Sequence, residues 1–216
     1  TLIMNNKTIF PYRLFVEGVN DLHVVSSLCE NHKLTENFNI EACGSDKNVI
    51  RQFKIAITNP AVYQRIGIMV DADNDVKGRW MQLVDILMKS GKYDCENLEL
   101  PLDGLVLYPL NSCDAIIGIW IMPNNNLEGM LEDFVLQLVS SENVLMQKAE
   151  STLSELEAEE IQQYKRVHRS KAKVHTFLAW QDEPGRPMGQ AITARVLNPE
   201  AEQARVFIDW LNKLYN

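Results

Sequence analysis

Three short apolar runs in the first 70 residues, each followed by a segment with helical spacing, constrain the fold of this chain most strongly. The runs are Tyr12–Val16, Phe38–Ala42 and Ile66–Val70. The segments after them repeat apolar residues at intervals of three and four, as Leu22 and Val25 do. Strands that alternate with helices in this way predict an α/β fold, with a parallel sheet and right-handed crossovers.

The chain after residue 100 is less regular, and the sequence predicts further strands and helices there. The predicted strands are Leu105–Leu110 and Ile116–Met122, and the predicted helices cover 127–138, most of 142–169 and 206–214. The stretch Val174–Trp180 fits either a helix or a strand. We expect a single domain over 1–216, with its core at about 10–140 and a charged helical elaboration and closing helix at about 141–216.

Composition excludes several classes of protein. A hydrophobic content of 46% is too high for a disordered chain, and no apolar run approaches the roughly 18 residues of a membrane span. Because a signal-peptide pattern is also missing, a soluble cytoplasmic protein is expected. The four cysteines lack the spacing of a zinc knuckle, a redox pair or a disulfide framework. A net charge of −8 argues against simple electrostatic binding of nucleic acid, because that affinity depends on Lys and Arg.

Acidic residues follow two of the three apolar runs. Glu17 comes directly after the first run, and Asp71 and Asp73 come after the third. The carboxyl ends of parallel strands lie at one edge of a sheet, so these side chains should meet there. In extended backbone, residues i and i+2 also face the same side, which would let Asp71 and Asp73 bind one ion. Crowded carboxylates need a cation between them, and the sequence therefore predicts a site for Mg²⁺ or Mn²⁺.

Other acids are weaker candidates for the same site. Glu132 and Glu128 lie four apart in a predicted helix and would share a face, so Glu132 is a candidate second metal ligand. The alternative is an exposed helix start, where acids interact well with the helix dipole. Asp21 and Asp75 are candidates too, although each is also placed to cap a helix.

The densest basic segment of the chain runs from Lys165 to Lys173. One interpretation is a solvated helix face; the other is a patch that contacts phosphate. In the second, Lys171 and Lys173 would stabilise the charge that develops on a phosphoryl group, which makes Lys173 a candidate catalytic residue.

The motif V-E-G-x-x-D at 16–21 and the apolar strand that ends in D-x-D at 71–73 resemble the Toprim fold. Further segments resemble a compact Toprim-like family whose function is not known: 118–124, 128–133 and the Trp210-Leu211 pair. The resemblance implies a Rossmann-like sheet of about four parallel strands flanked by helices. It also implies that Glu17 moves a proton in phosphoryl transfer while Asp71 and Asp73 hold Mg²⁺. A metal-dependent nuclease acting on DNA or RNA is the function that follows.

The chain departs from the larger Toprim proteins in ways that narrow this expectation. It shows no tyrosine-bearing or zinc module of the kind that topoisomerases and primases need, and no G-x-x-x-x-G-K-[ST] loop. An ATPase, if required, would be a separate partner protein. Two alternatives stay open: a non-catalytic subunit that binds a metal or nucleotide, and an enzyme for a small phosphorylated molecule. The oligomeric state is also open, since the extra strands offer pairing across a dimer.

Overall fold

A five-stranded, mostly parallel sheet forms the centre of the computed structural model, which describes residues 11–35, 37–59 and 62–216. The strands lie in the order β2-β1-β3-β5-β4, and only β4 runs antiparallel to its neighbour. Their bounds are Tyr12–Val16 (β1), Asn39–Ala42 (β2), Arg65–Asp71 (β3), Leu105–Leu107 (β4) and Ile116–Met122 (β5). The predicted α/β, Rossmann-like fold with about four parallel strands and an added strand is therefore confirmed.

Helices cover both faces of this sheet. The described helices are α1 (Val19–Asn31), α2 (Asp46–Thr58), α3 (Val76–Ser90), α4 (Leu131–Leu136), α5 (Val144–Ala158), α6 (Arg169–Ala179), α7 (Met188–Thr193) and α8 (Glu202–Tyr215), with a 3₁₀ turn at Arg166–His168. One apolar core lies under α2 and α3, and the other under α1 and α4 to α8. None of the helices in the described part of the chain has the length and apolar character that crossing a membrane requires.

Two adjacent glycines let the closing helix α8 pack directly on the sheet. Gly67 of β3 and Gly118 of β5 are paired in register, so they form a shallow groove across two strands. A Cβ atom on Gly118 would lie 2.3 Å from Leu214 Cδ2, and one on Gly67 would lie 2.5 Å from the Tyr215 hydroxyl. Both distances are too short for real contacts, and α8 therefore depends on side chains being absent at these two positions.

The structure corrects several predicted boundaries in the second half of the chain. The strand predicted at Leu105–Leu110 ends at Leu107, and the helix predicted from Leu127 begins only at Leu131. The charged segment 142–169 is helical to Ala158 and is then interrupted by a loop, in which Glu160 has a φ of 56°. The undecided stretch 174–180 belongs to helix α6 up to Ala179. The sequence also predicts that Asn59-Pro60 ends the second helix; α2 does end at Thr58, and Pro60 itself lies outside the described residues.

Candidate active site

Glu17 lies at the carboxyl end of β1, where the buried strand gives way to the turn before α1. Its Oε1 accepts a hydrogen bond of 2.9 Å from the backbone N–H of Asp71, which joins the ends of β1 and β3. Burial raises the pKa of Glu17 to about 7, and the charges of Asp21 and Asp73 act in the same direction. The Asp71 N–H and the Arg79 cation oppose this rise only in part. Glu17 can therefore exchange a proton near neutral pH.

Asp71, the last residue of β3, connects the sheet to the start of α4. Its Oδ1 accepts a hydrogen bond of 3.0 Å from the backbone N–H of Leu131. The pKa of Asp71 is raised to about 9, mainly by burial. The negative charges of Glu17, Asp21, Asp73 and Glu132 raise it further, by smaller amounts. These carboxyl groups are thus close enough to disfavour one another's ionisation.

Two further acids are almost fully buried beside this pair. Asp21 is 8% exposed and Glu132 is 6% exposed. Asp21 does cap α1, since its Oδ2 accepts a 3.0 Å hydrogen bond from the Gly18 N–H. Burial also raises the pKa of Asp21 to about 6, and the charge of Glu132 contributes to this. Charged residues are seldom so buried unless they are paired or functional, so the carboxyl cluster comprises Glu17, Asp21, Asp71 and Glu132.

The carboxyl cluster lines an open cleft of about 380 Å³ at the carboxyl edge of the sheet. The turns after β1 and β2 form one side, and the start of α4 forms the other. His168 and Lys171 also line the cleft. The ammonium group of Lys171 lies 3.7 Å from Glu132 Oε1, and its side chain is half exposed. The positively charged ammonium group of Lys171 therefore lies beside the acids and remains accessible from solvent.

Asp73 is not part of this cleft, and the structure overturns the geometric reason for pairing it with Asp71. Strand β3 ends at Asp71, and Asp73 has a φ of 51°, so the extended backbone predicted between the two residues is absent. The Asp73 carboxylate is about half exposed and lies 3.2 Å from Arg79 Nη2, in a separate surface cavity. Its role as a metal ligand stays a prediction.

The remaining acidic candidates lie apart from the cleft. Glu128 is exposed and precedes α4, so it does not share a helix face with Glu132 as predicted. Asp75 is the N-cap of α3, where its Oδ1 accepts a 2.8 Å hydrogen bond from the Gly78 N–H. The capping interpretation of Asp75 is therefore the one that the structure supports.

The basic segment divides into residues that face the cleft and residues that hold helices together. Lys173 lies 2.8 Å from Glu150, and Arg169 bonds to both Glu150 and Glu157. These contacts attach α6 to α5, and they hold the pKa of Glu150 down to about 2. Lys171, rather than Lys173, lines the cleft. The catalytic role predicted for Lys173 stays untested, but its position favours a structural role.

Arg79 contacts the acidic turn beside the cleft, and the sequence patterns did not single it out as a site residue. It lies in α3, and its Nε donates a 3.0 Å hydrogen bond to the backbone carbonyl of Asp71. The only sequence signal was an arginine in the first turns of the helix that follows the acidic turn, which many surface helices also carry.

The chemistry of the carboxyl cluster fits a hard divalent cation, because such ions prefer carboxylate oxygens. Glu17 and Asp71 each have one oxygen engaged by a backbone N–H, and their raised pKa values show that counter-charge would be favourable. Within 11–35, 37–59 and 62–216, however, no three acidic, His or Cys side chains form a ready-made metal-binding group. Binding would therefore require the carboxylates to reorient.

Cavity size alone would select a different location. A cavity of about 820 Å³ lies at the amino ends of β1, β3 and β5, where its lining includes Tyr12, Tyr63 and Tyr108. None of the four members of the carboxyl cluster lines it. Buried, mutually interacting acids identify the smaller cleft as the chemically distinctive one.

Comparison with known families gives one match, which extends over residues 11–216. The matched family is described as a protein of unknown function, DUF3226. The chain belongs to the DUF3226 family. No curated protein and no solved structure matches this DUF3226 chain. The expectation of a domain of unknown function is therefore confirmed, whereas the Toprim-like relationship stays a prediction. The carboxyl cluster is a candidate site for DUF3226 that rests on the structure of this chain.

Proposed function

We propose that the chain is a Toprim-like enzyme that hydrolyses phosphodiester bonds in DNA or RNA with Mg²⁺ or Mn²⁺. The observation that carries the proposal is the convergence of four acidic side chains, from the ends of β1 and β3 and the starts of α1 and α4, in one cleft. Such convergence at the carboxyl edge of a parallel sheet is typical of α/β active sites.

In this proposal Asp71 and Glu132, which both line the cleft, would hold the cation, with Asp21 beside them. Asp73 joins this set only if its pair with Arg79 opens. When bound, Mg²⁺ would lower the pKa of a coordinated water and neutralise charge on the phosphate. Mg²⁺ binding would be favoured because the cation would offset the repulsion between the carboxylates of the cluster.

Glu17 is the proton-transfer group in this proposal. Without a bound cation, burial raises the pKa of Glu17 to about 7, so both protonation states are present at neutral pH. A cation bound nearby would lower this pKa and favour the carboxylate, which can accept a proton from water. Its hydrogen bond from the Asp71 N–H fixes one carboxyl oxygen and leaves the other for this exchange.

Lys171 supplies positive charge at the mouth of the cleft. A phosphate that enters would compete with Glu132 for its ammonium group, and a cation bound between the acids would release the lysine for that contact. Such local charge matters because a protein of net charge −8 repels nucleic acid over most of its surface.

One observation favours a second candidate, which is phosphoryl transfer on a small molecule. A cleft of about 380 Å³ is within the range of small-ligand sites, which begins at roughly 300 Å³. The other predicted alternative, a subunit that docks a separate ATPase through segment 142–169, gains less support. Glu150 and Glu157 of that segment are committed to Arg169.

The experiment that tests the proposal is cleavage of single- and double-stranded DNA and RNA with Mg²⁺ or Mn²⁺. We expect wild type to cleave at least one substrate, and Glu17→Gln and Asp71→Asn to lose cleavage. Asp75→Asn is the matched control, because Asp75 lies four residues from Asp71 but outside the cleft. Cleavage that survives both cleft variants would show that the activity comes from elsewhere. Release of phosphate from nucleotides alone would favour the second candidate.

A further inference from the structure

Arg79 has four polar partners around the acidic turn that follows β3. Its Nε donates to the Asp71 carbonyl at 3.0 Å, its Nη2 lies 3.2 Å from Asp73 Oδ2, and its Nη1 donates to Gln82 at 3.2 Å. Nη2 also lies 3.8 Å from Asp46, the first residue of α2. The Arg79 side chain is only 12% exposed, whereas the carboxylates of Asp73 and Asp46 are about half exposed. Its hydrogen bond to the Asp71 carbonyl is the part-buried one of the three.

The same turn is held from the other side by the loop before α4. Asp73 and Gly129 exchange two backbone hydrogen bonds, each of 2.8 Å. Two residues later, the Leu131 N–H donates to the Asp71 carboxylate, and Glu132 follows directly. The position of the turn therefore sets where Asp71 and Glu132 lie relative to each other.

We propose that Arg79 is a positioning residue for the candidate active site, with Asp73 as its counter-ion. Arg79 and Asp73 form a clamp that holds the left-handed turn at Asp73 and keeps Asp71 and Glu132 in the arrangement that binds a cation. The cation in this inference rests on the proposed function, whereas the clamp itself does not. Asp73 then acts through Arg79 instead of through the metal.

The clamp requires a guanidinium group and not only a positive charge. Arg79 uses three nitrogens in three directions, towards a carbonyl, a carboxylate and an amide oxygen. A lysine ammonium at the end of a flexible stem can restore the ion pair with Asp73, but it cannot keep the carbonyl of Asp71 at the same time. Arg79→Lys should therefore behave like Arg79→Gln.

Amide hydrogen exchange without metal tests the clamp directly. Loss of Arg79 should free the turn, so we expect Arg79→Gln and Arg79→Lys to speed exchange at the Asp73 and Gly129 amides by about tenfold or more. Lys77→Gln is the matched control, because it removes the same charge from an exposed position on the same helix. Unchanged exchange in both Arg79 variants would overturn the inference.

Mn²⁺ affinity, measured by electron paramagnetic resonance, gives a second readout. Removing a cation near carboxylates should tighten Mn²⁺ binding if Arg79 acts only through its charge. The clamp predicts the opposite: Arg79→Gln should weaken Mn²⁺ binding by about tenfold or more, as does the loss of other groups that orient metal ligands. Asp73→Asn should weaken Mn²⁺ binding by the same factor. The double variant should bind Mn²⁺ no more weakly than either single variant, because both substitutions break the same contact.

The outcomes separate the clamp from the proposed function. Tighter Mn²⁺ binding in Arg79→Gln, or additive losses in the double variant, would overturn the clamp. Absence of Mn²⁺ binding by wild type would instead contradict the proposed function, and amide exchange would still decide whether Arg79 holds the turn.

Discussion

Replacing Glu17 with glutamine should stabilise the protein at high pH in the absence of metal. The pKa of Glu17 in the fold is about 7, against an ordinary value of 4.5, because the side chain is buried among other acids. The folded state therefore binds this proton more tightly than the unfolded chain does. The stability contributed by Glu17 is fully present below about pH 4.5 and is lost as the pH rises through 7.

The size of the effect follows from the two pKa values. They differ by about 2.5, and each pH unit corresponds to about 1.4 kcal/mol, so ionisation of Glu17 costs the fold about 3 kcal/mol at pH 8. Glutamine has the same shape and can still accept the hydrogen bond from the Asp71 N–H. Glu17→Gln should thus raise the free energy of unfolding by about 3 kcal/mol at pH 8 and change it little at pH 4.

Urea unfolding of wild type and variant between pH 4 and pH 9 measures this difference, with a chelator present to exclude divalent cations. Comparing the two proteins at each pH removes the contributions of titrating groups that do not interact with Glu17. Asp71 does interact with it, and loss of the Glu17 charge relieves the rise in the Asp71 pKa, which adds to the stabilisation at high pH. The reasoning from burial predicts that the variant gains stability over wild type as the pH rises from 4 to 8. Equal stability of both proteins at every pH would refute it, and so would a difference that changes in the opposite direction.

Three further predictions follow from packing and position. Gly118→Ala should lower the free energy of unfolding by about 2 kcal/mol or more in urea denaturation, because its Cβ would meet Leu214 of α8; an unchanged midpoint would show that α8 can shift freely. Asp75→Ala should cost about 1 kcal/mol by loss of the α3 cap, measured in the same way, and should leave cleavage intact. Lys171→Ala should lower cleavage about tenfold or more with little loss of stability, while Lys173→Ala should do the reverse. Equal effects of the two lysines on cleavage would contradict the assignment of the cleft.

The described residues between 11 and 90 were predictable because local signals and tertiary structure agree there. The continuously apolar run at 66–70 is buried, as expected for an inner strand of a parallel sheet with helices on both faces. Ser45 caps α2, because its Oγ accepts a hydrogen bond from the Asn48 backbone N–H. After residue 100, the apolar patterns indicate which segments form strands or helices, but not where those strands and helices begin and end. Leu127 and Leu110 continue the pattern of their segments, yet both are exposed in the structure. Only tertiary contacts decide where such segments end.

The candidate site was predictable where it depends on strand ends, and it was not where it depends on turns. Glu17 and Asp71 meet because Glu17 follows β1 and Asp71 ends β3, and these parallel strands are neighbours in the sheet. The separation of Asp73 from Asp71 comes from one residue with a positive φ, and the pattern D-x-D does not reveal it. Arg79 lies eight residues from Asp71, so its contact depends on how α3 folds back beside the turn.

The central claim is that a divalent cation binds among the acids at the carboxyl edge of the sheet. Paramagnetic broadening by Mn²⁺, added below one equivalent and followed in ¹H–¹⁵N NMR spectra, tests it most directly. The amide signals of Gly18, Ala72 and Leu131 should broaden first, while those of Gln64 and Ser112 at the opposite edge stay sharp. Loss of this broadening in Asp71→Asn would support the account. Sharp signals around the cleft, or broadening centred elsewhere, would contradict it.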